Sequence, residues 1–388
     1  MRYYVGMKKN QKLPFNAPLT LLGGITPEAF LKEYWHKKPL LVRGAIPAFT
    51  GLLSPNELAG LACEEDVQSR LVSFSKKQWH CEQGPFEEER FAKLPKRDWT
   101  LLVQSVNHHM QEATVLLQQF NFIPHARLDD LMVSYAPDGG GVGPHFDSYD
   151  VFLLQGLGER LWRISEQTDL SLVEGAPLRI LKHFDTQQEW TLSAGDMLYL
   201  PPHLAHWGVA VGDCMTYSIG FRAPSAEELA GEFLNYLQEN REFKGRYADS
   251  DLKLQAHPAE VSSEMVSRVA TMISSLKWNE NDVADFLGQY LSEPKLEVVF
   301  EQPTPISERV FTQQLLSQGI QLDLKSQLLV SNAQFYLNGE QVVLPQSDHP
   351  ILLMLADHRL LSAADLDKAS AECIRFMYER FLAGYLMF

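Results

Sequence analysis

The sequence predicts a mainly β protein with added helices: a jelly-roll barrel, then a helical region, then a small winged-helix-like tail. Three observations support this fold class. Short apolar runs separated by turn residues fill positions 131–223, which is typical of a sandwich or barrel. Apolar residues at helical spacing follow immediately. Beyond a proline-rich break at 301–307, further helices accompany one strong hairpin signal.

The N-terminal part begins with a helix and then becomes mixed. Thr26 is placed to cap a helix, Pro27 suits its first position, and apolar residues recur at helical spacing over 26–37. The run PLLVRG that follows is typical of a strand. We expect residues 55–130 to be mostly helical.

Eight short strands are predicted in the barrel region. They are LMVSYAP, VFLLQGLG, RLWRIS, LRILKHF, EWTL, DMLYLPP, HWGVAV and MTYSIGFRA. Turn signals at 139–143, 156–159, 193–196 and 212–213 separate them. Many short strands at regular spacing indicate a barrel of the jelly-roll kind.

Helices return directly after the barrel. Ser225 and Glu228 have the spacing of a capping box, an apolar stripe runs over 265–276, and Asp282 is placed to cap a third helix. In the tail we predict helices at 308–317, 350–358 and 365–381, with a hairpin turn at Asn338-Gly339. We therefore predict three domains: a barrel with N-terminal helices at 1–223, a helical region at 224–300 and a winged-helix-like domain at 301–388.

Composition limits the classes of partner. The net charge is −15, from 34 basic and 49 acidic residues, and the segment 301–388 carries six Lys or Arg against ten Asp or Glu. Since nucleic-acid binding depends on neutralising phosphates, we expect no direct nucleic-acid partner and instead a basic protein.

The sequence shows neither a targeting signal nor a cysteine motif. The four cysteines show no C-x-x-C spacing, and the first sixteen residues do not resemble a signal peptide. No window has the run of about 18 apolar residues that a membrane span needs. We therefore expect no membrane association and a cytoplasmic protein.

A metal site is predicted inside the barrel. His145 and Asp147 are two residues apart, so in a strand they project from the same face. His206 opens a later strand, 59 residues after Asp147. Two histidines and one carboxylate form the facial triad of non-haem iron(II) oxygenases, which leaves positions open for a keto-acid and dioxygen.

A keto-acid also needs a cation for its far carboxylate. Arg160 lies on the strand after the Gly156–Gly158 turn, and a guanidinium binds a carboxylate through two parallel donors. Ser134, on an earlier strand, is a candidate hydroxyl donor to the same group. The alternative for Arg160 is a structural ion pair with Glu159 or Asp150, and its neighbours fit either face of the strand.

Six stretches of the chain carry a family resemblance. They are P-H-x-D, G-x-G-x-R, D-x-L-Y-x-P-P followed by His, YWHKKPLLVRG, GGGVGPHFDSYD and SIGFRAP. Together they resemble the bacterial ribosomal oxygenases, which are JmjC-type members of the cupin superfamily with a double-stranded β-helix. The helical region and the acidic tail resemble the same architecture through weaker motifs.

The resemblance implies a function and a set of roles. His145, Asp147 and His206 would bind iron(II), Arg160 and Ser134 would bind 2-oxoglutarate, and Asp138 would pair with a substrate guanidinium. With dioxygen, the enzyme would hydroxylate an arginine side chain of a basic large-subunit ribosomal protein. The helical region would form a homodimer.

Several alternatives stay open at this point. The target is a histidine in related enzymes, and N-methyl demethylation begins with the same hydroxylation. A non-catalytic cupin binding module and a metal-dependent isomerase of small sugars are rivals from other classes. Asp138 is otherwise a turn residue, and His203 is best explained as a loop residue outside the triad.

Overall fold

The structure is a computed structural model that describes residues 17–388. The prediction that residues 1–16 carry no signal peptide concerns a segment outside the described residues. The chain forms two compact units. The first ends at Ala223 and takes in Glu297–Val299, and the second comprises Pro224–Leu296 and Phe300–Phe388.

Helices and strands alternate early in the first unit, and strands dominate later. In chain order, the elements are α1 (Pro27–Glu33), β1 (Leu40–Val42), α2 (Pro55–Leu61), β2 (Ser69–Ser75), β3 (Gln78–Gln83), α3 (Glu88–Ala92), β4 (Trp99–Val103), α4 (Gln111–Gln118), β5 (Leu128–Ala136), β6 (Val151–Ser165), β7 (Gln188–Leu192), β8 (Met197–Leu200) and β9 (Ala205–Phe221). The predicted cap of α1 is confirmed, because the Thr26 hydroxyl accepts the Ala29 N–H at 3.1 Å.

All nine strands belong to one antiparallel sheet. Its order is β1-β8-β6-β9-β5-β4-β2-β3, and β7 pairs with the second half of β6. Helix α1 covers part of this sheet, since the fully buried ring of Phe30 lies 4.9 Å from Tyr199 and 5.4 Å from Phe152. These contacts form part of the main hydrophobic core of the first unit.

The prediction of a mostly helical segment at 55–130 is wrong in part. Strands β2, β3 and β4 lie within it and extend the sheet beyond β5. Strand β4, Trp99–Val103, is a short apolar run that is buried at every position. Periodicity does not separate such a run from a buried helix, and its pairing with β2 and β5 decides the outcome.

The predicted turns at 156–159 and 212–213 are also wrong. Strands β6 and β9 each run through these positions and pair with one another from Val151↔Gly220 to Ser165↔Ala205, with irregularities between Gln155 and Glu159. Gly158 has φ 61°, and a Cβ there would lie 2.0 Å from the Asp213 carbonyl oxygen. Glycine thus bends the strand without ending it.

The predicted strand LRILKHF, residues 178–184, is not formed. This segment belongs to a long connection between β6 and β7, in which one isolated bridge joins Leu172 and Leu181. Ile180 and Leu181 are nevertheless buried, so their apolar character reflects packing of a loop.

The second unit contains helices followed by short strands and more helices. In chain order, the elements are α5 (Ala226–Asn240), α6 (Ser263–Ser274), α7 (Glu280–Ser292), α8 (Glu308–Gln318), β10 (Ile320–Leu322), β11 (Leu328–Ser331), β12 (Gln334–Leu337), β13 (Glu340–Val342), α9 (His349–His358), β14 (Leu360–Leu361), α10 (Ala371–Leu382) and β15 (Leu386–Met387). The capping box of Ser225 and Glu228 at the start of α5 is confirmed.

Two details of the second unit differ from expectation. Asn279, not Asp282, caps α7, and the Asp282 carboxylate completes a capping box by accepting the Asn279 N–H. The last predicted helix starts at Ala371 rather than 365. The hairpin turn at Asn338-Gly339 is confirmed between β12 and β13, and both residues have positive φ, as a two-residue hairpin turn requires.

Within residues 17–388, no helix combines the length and the apolar character needed to cross a bilayer.

Candidate metal centre

The three predicted metal ligands converge at one point. His145 and His206 exchange backbone hydrogen bonds of 2.9 and 2.8 Å, which form an isolated antiparallel bridge. Their rings lie 4.2 Å apart. Asp147 lies one pleat further on, and its Oδ2 is 3.6 Å from His206 Nε2. The candidate ligand atoms of all three residues lie within 4.8 Å of one another.

Backbone carbonyls orient both imidazoles. His145 Nδ1 lies 2.9 Å from the Gly143 carbonyl oxygen, and His206 Nδ1 lies 2.9 Å from that of Leu204. A neutral histidine can make this bond only by donating Nδ1–H, so the lone pair is on Nε2. Both Nε2 atoms are thereby prepared to bind a cation, the arrangement usually found around metal-binding histidines.

A hydrogen bond between backbone groups fixes the position of Asp147. The His203 N–H donates to the Asp147 carbonyl oxygen at 2.7 Å, in a loop where His203 has φ 64°. The side chain of His203 is exposed and is not part of the cluster. It therefore behaves as the loop residue that the sequence indicated.

His206 is buried in the neutral form. Burial, followed by the proximity of His145, lowers the pKa of His206 to about 4, although Asp147 opposes this shift. A neutral imidazole is the form that binds a metal, so the local environment keeps this ligand available well below neutral pH.

This low pKa predicts acid sensitivity of the metal-free protein. Because an unfolded histidine has a pKa near 6.5, the unfolded state binds the proton more readily, and stability falls as pH decreases from about 6.5 to about 4. The loss from this residue is at most roughly 3 kcal/mol. Denaturant unfolding of EDTA-treated protein at several pH values measures this loss of stability. His206→Gln should flatten the profile and His203→Asn should not; equal profiles for all three proteins would contradict the assignment.

The cluster opens into a cavity of about 550 Å³ within the first unit. Strands β2, β4, β5, β6 and β9 and the loops 142–149 and 177–180 supply most of its walls. The polar or charged residues that line it, apart from the cluster, are Arg70, Thr100, Gln104, Asp129, Asp130, Ser134, Ser148, Tyr149, Arg160, Trp162, Arg179, Thr216 and Ser218.

Arg160 lines this cavity as predicted. Its neighbour Trp162 projects from the same face of β6, and both side chains are buried. Neither of the predicted alternative ion pairs, with Glu159 or Asp150, occurs among the ion pairs of the described residues. Instead, Arg160 Nε donates to Cys214 Sγ at 3.5 Å, while Arg160 Nη2 and Trp162 Nε1 have no hydrogen-bond partner within residues 17–388.

Two buried donors without acceptors are costly unless a ligand satisfies them. The pair therefore fits an acceptor-rich anion such as a carboxylate, with the Arg160 guanidinium supplying the charge. Ser134 also lines the cavity, and its hydroxyl lies 3.5 Å from the Thr216 carbonyl oxygen. Thr216 and Ser218, which the sequence did not single out, add two hydroxyls to the same wall.

Asp138 is not brought to the cavity. Its carboxylate lies 3.2 Å from Arg97 Nη2 and accepts the Gly212 N–H at 3.1 Å, and it is absent from the cavity wall. Its predicted contact with a substrate guanidinium therefore stays a prediction.

The structure places a different acidic group at the cavity. Asp129 and Asp130 lie at the start of β5, where the pairing with β9 is irregular between Leu128 and Leu131. Such a bulge changes the direction of side chains, and here both aspartates line the cavity. The Asp-Asp pair is visible in the sequence, but strand alternation alone would direct the two side chains to opposite faces.

Comparisons with known proteins give the family. The JmjC domain matches residues 115–229, and the ROXA-like winged helix matches residues 275–387. Ribosomal protein uL16 3-hydroxylase of Escherichia coli K12 is 36% identical over 346 residues, which cover 88% of this chain and 91% of that protein. This chain belongs to the ribosomal oxygenase family.

Other relatives agree. The probable ribosomal oxygenase of Haemophilus influenzae is 44% identical over 210 residues, which cover 53% of this chain and 52% of that protein. The structure of YcfD, a ribosomal oxygenase from Escherichia coli, in complex with cobalt and 2-oxoglutarate matches with a TM-score of 0.80 at 32% identity. That match covers 93% of this chain and 97% of the YcfD chain.

Family membership confirms several predictions. The fold is the JmjC-type jelly roll, followed by helices and a winged-helix domain. The enzyme class, a 2-oxoglutarate- and iron-dependent oxygenase, is confirmed for this ribosomal oxygenase, as is its use of iron(II), 2-oxoglutarate and dioxygen.

Proposed function

We propose that this ribosomal oxygenase hydroxylates an arginine side chain of the large-subunit ribosomal protein uL16. In this proposal, His145, Asp147 and His206 hold iron(II), and Arg160 and Ser134 hold 2-oxoglutarate. The similarity to uL16 3-hydroxylase supports the choice of protein. Asp129 and Asp130, which form what we term the acidic end of the cavity, support the choice of an arginine as the target residue.

In this proposal, different residues of the cavity bind the co-substrate and position the target. When bound, iron(II) would activate dioxygen, the oxidant, and so couple oxidative decarboxylation of 2-oxoglutarate to insertion of one oxygen atom into a C–H bond. Arg160 and Trp162 supply the donors for a carboxylate at one side of the cavity. The apolar side chains of Leu102, Met132 and Leu153 line the space between, and there they exclude water and position the target carbon.

The observation that carries the arginine assignment is the pair of carboxylates, Asp129 and Asp130, that lines the cavity. Burial, followed by the charges of Asp147, Asp130 and Asp129, raises the pKa of Tyr149 in the same wall. Arg70 opposes this effect. Aspartates that line a cavity suit a guanidinium, which offers five donors and a permanent charge.

Asp130 is oriented for such a contact. The N–H of Ser105 donates to Asp130 Oδ2 at 2.8 Å, and the Ser105 hydroxyl lies 3.3 Å from the same oxygen. The Asp130 carboxylate also lines the cavity, where a donor of the bound substrate reaches it. We infer that Asp130 positions the target guanidinium, with Asp129 and Tyr149 beside it.

The test uses purified enzyme, iron(II), 2-oxoglutarate, ascorbate and recombinant uL16. Intact mass should show the gain of one oxygen atom, with one succinate formed for each uL16 hydroxylated, and fragment spectra should place the oxygen on an arginine. Oxygen placed on a histidine would reassign the substrate residue. Release of formaldehyde from an N-methylated substrate would instead indicate demethylation. Absence of any modification would contradict the proposed function.

Three matched variants test the acidic end. Asp130→Asn should raise KM for uL16 about 10- to 100-fold, because a hydrogen bond to a charged group contributes about 1.5–3 kcal/mol. Asp129→Asn should act in the same direction. Asp138→Asn decides whether the originally predicted carboxylate also contacts substrate, and a larger effect there than at Asp130 would overturn the assignment.

We further propose that the enzyme acts in the cytoplasm on newly made ribosomal protein.

We also propose that residues 224–300 mediate a homodimer. Helix α6 supports this proposal, because it exposes the apolar side chains of Met265, Val266, Met272 and Ile273. An exposed apolar patch of this kind is typical of a protein interface. Light scattering of the wild type and of Ile273→Asp tests it, and a monomeric wild type would contradict it.

A further inference from the structure

The open edge of the main sheet lies beside the candidate active site. Strand β3 pairs with β2 and is the last strand in the order of the described sheet. Its neighbour β2 contributes Arg70 and Val72 to the cavity wall. The cavity-lining face of the sheet therefore continues from β5, β4 and β2 to an edge with which no strand of residues 17–388 pairs.

The register shows which backbone groups face outward. Ser75 pairs with Gln78 across a two-residue turn, and the Gly84 N–H donates to the Ser69 carbonyl oxygen at the other end of the hairpin. Hydrogen-bonded pairs alternate along an antiparallel ladder, so His80 and Glu82 bond to β2. The N–H and C=O groups of Trp79, Cys81 and Gln83 consequently point away from the sheet.

The side chains of these three residues are on the cavity face. Cys81 is opposite Val72 and Gln83 is opposite Arg70, and both partners line the cavity. Trp79 lies against Gly143, where an added Cβ would be 2.6 Å from the Trp79 ring. Gly143 is two residues before His145, so the edge strand reaches the rim of the site.

Charge at the C-terminal end of β3 favours a basic occupant. Beyond Gly84-Pro85-Phe86, the residues Glu87, Glu88 and Glu89 are exposed, while Lys76 and Lys77 form the turn at the other end of the strand. A segment of a basic ribosomal protein that lies along β3 would pass this acidic run. Proteins commonly protect an open edge with short strands or a proline, and β3 has six residues and no proline.

We propose that the polypeptide flanking the target residue binds as an added strand along β3, through the outward N–H and C=O groups of Trp79, Cys81 and Gln83. This rests on the proposed function and deepens it, because it assigns the surface that holds the substrate backbone. Backbone pairing supplies affinity, and side chains at alternate positions of the bound segment face the cavity rim. The register of this added strand then determines which residue of the substrate enters the cavity.

The test uses synthetic uL16 peptides that contain the hydroxylated residue, each N-methylated at one backbone amide. In an added strand, only every second N–H of the peptide faces β3. N-methylation should therefore raise KM about five- to tenfold at alternate flanking positions and leave the positions between them unchanged. A uniform effect, or no effect, would overturn strand addition while leaving the proposed function intact if the unmodified peptide is hydroxylated.

A variant of the enzyme gives the reciprocal result. In Cys81→Pro, the ring removes one outward N–H and no bond to β2, so the peptide KM should rise about five- to tenfold, with kcat and the KM for 2-oxoglutarate unchanged. Cys81→Ala keeps the N–H and should match the wild type. If Cys81→Pro does not fold, the N-methyl series decides alone. Failure of the wild type to hydroxylate any uL16 peptide would instead refute the proposed function.

Discussion

Replacement of His206 with alanine is expected to reduce both succinate formation and hydroxylation of uL16 by roughly 10³-fold or more. The imidazole is buried, its Nδ1–H is committed to the Leu204 carbonyl, and its Nε2 faces Asp147. Its loss would leave two of three protein ligands and a void beside Trp162. Turnover assays at saturating iron(II), together with cobalt(II) absorption titrations, measure the effect on rate and on metal affinity separately.

The matched control for this variant is His203→Asn. His203 lies in the loop just before β9, but its side chain is exposed, and asparagine tolerates its positive φ. We expect activity within about twofold of the wild type, since surface substitutions of this kind have small effects. If His206→Ala retained tight cobalt binding and near-normal turnover, the metal would lie elsewhere.

Replacement of Arg160 with methionine is expected to raise the KM for 2-oxoglutarate roughly 100-fold or more. The change keeps the apolar stem and removes the guanidinium, which we expect to form two charge-assisted hydrogen bonds of about 1.5–3 kcal/mol each. Because a carboxylate in this cavity would then face only uncharged donors, such as the buried Trp162 N–H and the Ser134 hydroxyl, binding weakens more than the chemical step. Succinate formation as a function of 2-oxoglutarate concentration measures this.

Arg163→Met provides a control on the same strand. Arg163 projects from the opposite face of β6, where its Nε lies 3.3 Å from Glu189 Oε2 and its guanidinium lies over the Trp207 ring. Its KM for 2-oxoglutarate should remain that of the wild type. Equal increases for the two variants would indicate a general loss of β6 structure, which circular dichroism and thermal unfolding would detect.

The residue pattern predicted much of the candidate metal centre. His145 and Asp147 are two apart in an extended segment, so their common direction follows from strand geometry alone. The same rule correctly grouped Arg160 with Trp162, and the structure places both on the cavity wall. These predictions succeeded because each depends on alternation within one short segment.

Predictions that depended on the path between strands were less accurate. The glycine-containing segments at 156–159 and 212–213 have the composition of turns, yet β6 and β9 continue through both because they pair with each other over their full length. The reverse error occurred at 178–184, where an apolar run packs as a loop. Composition indicates where a strand is able to bend, and pairing decides whether it ends.

The directions of the side chains at the acidic end of the cavity also depend on pairing between strands. Alternation assigns Asp129 and Asp130 to opposite faces, and only the bulge in the pairing of β5 with β9 turns both toward the cavity. The family resemblance instead selected Asp138, seven residues before His145, for contact with a substrate guanidinium. In the structure, Arg97 and the Gly212 N–H occupy its carboxylate.

By itself, the sequence determined the chemistry available to this protein: two imidazoles, a carboxylate and a guanidinium, each on a segment whose local periodicity fixes its direction. The tertiary structure decided which residues meet. The bridge between His145 and His206 joins segments 61 residues apart, and the open edge at β3 exists because no described strand pairs beyond it. Periodicity encodes the orientation of a side chain within its own element, whereas contacts between elements depend on strand order and register, which are set by packing of the whole sheet.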